Sequence, residues 1–194
     1  MKYLGVLVVT ACFAALVSGC GVARSLTTKH FDFNYSIPAP PAFDSTVGTQ
    51  ANQPLVLSTS ATIEDDLISK FDKYHGGIDW AGMNFTANLT RGDNVNLKFL
   101  VSLTAPTGAI GAMQVPSDAV QIEDFTLTAT QNTLTHTETS TTANEPLRKF
   151  LETSVRQANG NLKIYLYFRI TAPSGGRLAL SKISLAGLAH GSLF

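Results

Sequence analysis

Alternation of apolar and polar residues, repeated in segment after segment, is the strongest constraint on how this chain can fold. Phe31, Phe33, Tyr35 and Ile37 stand on one side of an extended run, and Asp32, Asn34 and Ser36 on the other. That is the period of a half-buried strand. Pro38-Ala39-Pro40-Pro41 ends the run, because proline fixes φ and removes a donor. The same period recurs in Met83, Phe85, Ala87 and Leu89, which alternate with Asn84, Thr86, Asn88 and Thr90. It recurs in Val95, Leu97, Phe99, Val101 and Leu103, in Phe125, Leu127 and Ala129, and in Leu162, Ile164, Leu166, Phe168 and Ile170. Leu55–Ser60 and the pair Ile183 and Leu185 mark shorter strands. Many strands with one polar face and short turns predict a single all-β domain, an antiparallel β-sandwich of about seven to nine strands, with a jelly-roll order among the arrangements it admits.

Two segments carry helix signals instead. Thr62-Ile63-Glu64-Asp65 has the form of a capping start with Asp in the place of Glu or Gln. Ile63, Leu67, Ile68 and Phe71 then form an apolar stripe, and Gly76-Gly77 stops it. The second helix takes Asn144 as its N-cap and Pro146 in its first turn. It presents Leu147, Phe150, Leu151 and Val155 on one face and ends at Asn159-Gly160. Leu100–Gly108 parallels Tyr167–Gly175 in sequence, each closing on Thr-Ala-Pro-Xaa-Gly. A true duplication would make them equivalent parts of two sandwich halves; the plainer reading is that strands often end in Pro-Gly turns.

The first twenty residues are of another kind. Lys2 is followed by an apolar run from Tyr3 to Leu16, shorter than the ~20 residues of a membrane-spanning helix and suited to a signal peptide. It abuts Leu16-Val17-Ser18-Gly19-Cys20, which resembles the lipobox of bacterial lipoproteins. That resemblance implies cleavage before Cys20 and a lipid on its sulfur and amine. Because one acyl chain holds a protein only marginally, two or three make a durable anchor. Gly21 rather than Asp follows the cysteine, which by the same resemblance favours the outer membrane in a Gram-negative cell. The organisation expected is a signal peptide over 1–19, a lipidated N-terminus and tether over 20–29, and one domain over 30–194. In pattern alone, that domain resembles uncharacterised β-sandwich envelope lipoproteins.

Composition excludes several functions. The processed chain carries 13 basic and 14 acidic side chains, and no basic cluster that could meet nucleic-acid phosphates. Cys12 and Cys20 are the only cysteines, so the domain has no disulfide and no thiolate metal site. His30, His75, His136 and His190 fall in no metal-ligand spacing, and no metal or cofactor is expected. Glu64-Asp65-Asp66 reads as the charged first turn of a helix. Glu123 and Asp124 lie on opposite faces of a strand.

Three features are candidates for recognition. Tyr74, His75, Asp79 and Trp80 concentrate aromatic and polar groups that could stack on a sugar, although such a Trp more often closes the end of a sandwich. Arg91-Gly92-Asp93 spells an adhesive tripeptide, but it is also favourable turn chemistry at the tip of a hairpin. Thr133, Thr135, Thr137, Thr139 and Thr141 would share one face of a strand, though threonine simply favours strands. The function expected is that of a lipid-anchored, non-catalytic envelope protein with a binding or structural role, its partners being the membrane and envelope proteins or polysaccharide. The alternatives are an envelope hydrolase with a site near residues 74–80, its pocket collecting His75 or His136 with a carboxylate and a hydroxyl, and a carrier of a lipid or other apolar ligand between the sheets.

Overall fold

The structure is a computed structural model, and it describes residues 28–49, 53–64, 68, 76–109 and 112–192. Among these residues the chain forms strands β1 (Thr28–Ser36), β2 (Phe43–Ser45), β3 (Leu55–Ile63), β4 (Gly77–Arg91), β5 (Val95–Ser102), β6 (Val120–Leu127), β7 (Thr133–His136), β8 (Leu162–Thr171) and β9 (Gly176–Ser192), and the helix α1 (Glu145–Gln157).

The strands make two antiparallel sheets. One has the order β1-β9-β4-β7, with the short β2 also on β9, and the other has the order β3-β8-β5-β6. Leaving β2 aside, the first strand pairs with the last, the second with the second-last, and so on to β5 with β6. This is a long hairpin rolled into two layers, the connectivity of an eight-stranded jelly roll.

The alternating apolar residues fill the space between the layers. Met83, Phe85, Ala87 and Leu89 of β4 meet Val95, Leu97, Phe99, Val101, Ile164, Leu166, Phe168 and Ile170 of the opposite sheet, and all are buried. Phe99 lies edge-on to Phe168 at 5.0 Å, and its ring centroid is 4.4 Å from that of Phe85 in the facing sheet. Such pairs add to the stabilisation from burial.

Some expectations need correction. Thr62 and Ile63 do not start a helix; they continue β3 and pair with Lys163 and Leu162. The remainder of that segment lies outside the described residues except for Glu64 and the buried Ile68, which is helical and whose amide donates to the Glu64 carbonyl at 3.5 Å. Arg91-Gly92-Asp93 is not a hairpin tip, because β4 and β5 belong to different sheets and the tripeptide crosses between them. There, Arg91 donates to the Asp44 carboxylate at 2.6 Å and Asp93 accepts from the Ala129 amide at 2.8 Å. Gly92 has φ 104° and packs against the Gly175 carbonyl, where a Cβ would sit 2.7 Å from the oxygen.

The two similar segments are not parts of separate halves. β5 and β8 are neighbours in one sheet, and Leu100 pairs directly with Tyr167. Tyr167 alternates with the core-facing Leu166 and Phe168, yet it too is buried. The segment after β5 folds back over it, its hydroxyl donates to the Thr104 carbonyl at 2.6 Å, and the residue is fully buried.

The α1 helix has the predicted Asn144 cap, whose side chain accepts from the Leu147 amide, and it buries Leu147, Leu151 and Val155. Its position follows from the shortness of β7, which pairs only with residues 85–88 of β4. The rest of the β4 edge would expose unpaired carbonyls. Asn144 N–H reaches the Ala81 carbonyl, Arg148 the Ile78 carbonyl, and Arg156 the Gly76 carbonyl, so the helix covers that edge along its length.

Candidate functional site

Three places on the molecule collect functional groups. The first is on the outer face of the five-stranded sheet, across three adjacent strands. His30 of β1 pairs with His190 of β9, which pairs with Gly77 of β4. Gly77 leaves room for the imidazole, since a Cβ there would meet His190 Cε1 at 2.7 Å. A bulge between Ile78 and Trp80 admits Asp79 as an extra residue. Its two oxygens accept one bond each, from His190 Nδ1 at 2.6 Å and from His30 Nδ1 at 3.0 Å.

Of the predicted cluster, Asp79 is therefore occupied by two histidines distant in sequence, Trp80 is half-buried, and Tyr74 and His75 lie outside the described residues. Cys20 also lies outside them.

The second place sits between the sheets, where the edge strands β6 and β7 face each other. Three side chains turn inward there. Glu123 and Asp124 lie on opposite faces of β6, as predicted: Glu123 turns to the side of Phe125 and Leu127, and Asp124 points out to Lys98 at 2.9 Å. His136 closes β7 opposite Phe85 and lies against the Phe85 and Phe125 rings at 5.2 and 5.0 Å. Glu138 follows two residues later.

After His136 the backbone stops pairing with β4, and the Glu138 side chain takes over. Its Oε2 accepts from the Met83 amide at 2.6 Å, while its own amide donates to Asn84 Oδ1 at 2.9 Å. Gly82 makes the space, because a Cβ there would lie 2.5 Å from the Glu138 Cβ. Asn144 closes the site, donating to Glu123 Oε1 and to the Ile122 carbonyl, each at 2.7 Å. The threonines do not form a five-membered ladder, for the same reason: Thr133 and Thr135 are in β7, whereas Thr139–Thr142 form a turn.

The electrostatics of this second cluster are unusual. Burial, together with the neighbouring Glu123 carboxyl, pushes the Glu138 carboxyl up to about 7, against the opposing pull of the Met83 amide. His136 Nε2 is buried without a hydrogen-bond partner. It lies 3.7 Å from Glu138 Oε1 and 3.9 Å from Glu123 Oε1, too far for either bond. Each of the two clusters brings three metal-ligand-type atoms within 4.8 Å of one another. No sequence spacing pointed to either. The nearest signal is Glu138, an acid in a run of small polar residues.

The third place is a cleft of about 540 Å³ on the outer face of the four-stranded sheet. The returning segment after β5 forms one wall with Met113 and Gln114, and Gln53, Leu55 and Arg169 form another.

No family model matches the chain, and no curated protein matches it. Among solved structures, infectious bursal disease virus strain Gx aligns over 85% of this chain and 34% of its own, with 14% identity and a TM-score of 0.39. A Parabacteroides distasonis protein assigned as secreted aligns over 84% of this chain and 49% of its own, with 14% identity and a TM-score of 0.39. The family 11 carbohydrate-binding module from Clostridium thermocellum aligns over 84% and 89%, with 12% identity and a TM-score of 0.35. The chain thus spans about a third of the viral protein and about half of the bacterial one.

Proposed function

We propose that the chain is a lipid-anchored component of the cell envelope whose domain has a binding or structural role and no catalytic one. The observation that carries the proposal is the run Leu16 to Cys20. β1 begins at Thr28, a few residues beyond Cys20, so an acylated Cys20 would hold the domain close to the bilayer. Gly21 favours the outer membrane if the cell is Gram-negative.

The carrier alternative needs an open apolar space between the sheets. Phe85, Phe99, Phe168, Met83 and Leu97, each at most 1% exposed, occupy that space. The hydrolase alternative is weakened at Asp79, whose two oxygens are both taken by histidines. Recognition falls instead to the cleft beside Arg169, where amide and guanidinium donors lie next to the apolar Leu55 and Met113. Such a mixture suits a sugar ring or an extended segment of an envelope protein.

The test is detergent-free fractionation of cells expressing the Cys20→Ala variant. Release from the membrane fraction, with an acylated N-terminal peptide found by mass spectrometry only in the parent, is the expected result. Membrane retention of the variant, or a bare N-terminus in the parent, would overturn the anchor.

A further inference from the structure

We infer that Glu123, His136 and Glu138 form a three-ligand site for a divalent cation of the zinc class, which clips the two sheets together at their β6/β7 edge. The inference stands apart from the proposed function and rests on how these three side chains are held.

The first ground is the unpaired imidazole nitrogen. His136 Nε2 is buried, has no partner, and points between two carboxylates at 3.7 and 3.9 Å. Buried polar atoms are nearly always paired, and each exception needs an explanation. The outer-face cluster is a useful contrast, because there each histidine Nδ1 has its own Asp79 oxygen. Among the described residues, no buried side-chain polar atom of that cluster lacks a partner.

The second ground is construction. Gly82 clears the space for Glu138. The Met83 amide takes Glu138 Oε2, which leaves Oε1 as the oxygen nearer His136. The Asn144 amide orients Glu123. Outer hydrogen bonds of this kind set the direction of metal-binding side chains.

The donor set selects the ion. One imidazole nitrogen and two carboxylate oxygens suit zinc, which takes three protein ligands and leaves a fourth position for water. Calcium and magnesium prefer all-oxygen shells with more ligands. A tetrahedral ion with bonds of about 2.1 Å places its ligand atoms about 3.4 Å apart. The two imidazole–carboxylate separations, 3.7 and 3.9 Å, exceed this by a few tenths of an ångström, and all three donor atoms lie within 4.8 Å of one another. The two neighbouring carboxylates would then share a dication.

The experiment is calorimetric titration of zinc chloride into the purified protein after EDTA stripping and dialysis, repeated with cobalt(II) followed by visible absorbance. One equivalent should bind saturably, raise the melting temperature, and give the intense absorption of tetrahedral cobalt. Glu138→Gln and His136→Ala should each abolish saturable binding while keeping the parent's far-UV dichroism. His190→Ala should bind as the parent does. The inference is overturned if the parent takes up no zinc. It is also overturned if folded Glu138→Gln binds as the parent does, or if His190→Ala is the variant that loses binding.

Discussion

The buried Glu138 carboxyl makes metal-free stability depend on pH in a direction opposite to that of an ordinary carboxylate. Its side chain is 4% exposed, and it titrates at about 7 in the folded chain against 4.5 for an unperturbed glutamate. The folded state therefore holds this proton more tightly than the unfolded state does. The stabilisation is fully present below pH 4.5 and is lost as pH rises through about 7. Moving a carboxyl between these values corresponds to roughly 3 kcal/mol. In a domain of this size, that is roughly 6 to 12 °C of melting temperature.

Glu145, Glu152 and Asp124 work the other way. Arg148 beside Glu145, Arg156 beside Glu152, and Lys98 beside Asp124 hold these carboxyls below their usual range. Their contributions disappear only at more acidic pH. In EDTA, the parent should therefore be more stable at pH 5 than at pH 8. Glu138→Gln keeps an oxygen for the Met83 amide and offers an N–H to Glu123 or to His136 Nε2. It should match the parent near pH 5 and exceed it by up to roughly 3 kcal/mol at pH 8. Urea unfolding followed by the fluorescence of Trp80, the only tryptophan, measures both. Parallel pH profiles for parent and variant would refute this account of Glu138.

Two further perturbations test the packing. Phe168 is fully buried against Phe99, so Phe168→Ala should cost about 3–5 kcal/mol in urea unfolding; a nearly unchanged midpoint would mean that the strand's faces are misassigned. Gly82→Ala would push a methyl to within 2.5 Å of the Glu138 Cβ, an overpacking expected to cost about 1–3 kcal/mol. The double variant Gly82→Ala/Glu138→Ala should recover part of that loss, and a purely additive result would show that the glycine serves something else.

Most of the fold was legible because strand periodicity is a local signal. Each residue of Met83, Phe85, Ala87 and Leu89 follows the side of the pleat that its neighbours dictate, and all four are buried as expected. The α1 cap was legible for the same reason, since Asn144, Pro146 and the apolar stripe lie within a few turns of one another. Bulges and returns were not legible. Asp79 is itself the extra residue of a bulge in β4, Tyr167 is covered by a segment that returns from β5, and the threonine run is cut short where Glu138 turns inward.

The linear order of residues dictated the β character of the domain, its lack of usable cysteines, and the lipobox-like start, because alternation, composition and short motifs act within a few residues. The two carboxylate–imidazole clusters came from folding alone. Rolling a long hairpin into a jelly roll sets His30 beside His190, 160 positions later, and Glu123 beside His136 across two sheet edges. Pairing over such separations depends on register and winding, which no short stretch of the chain encodes.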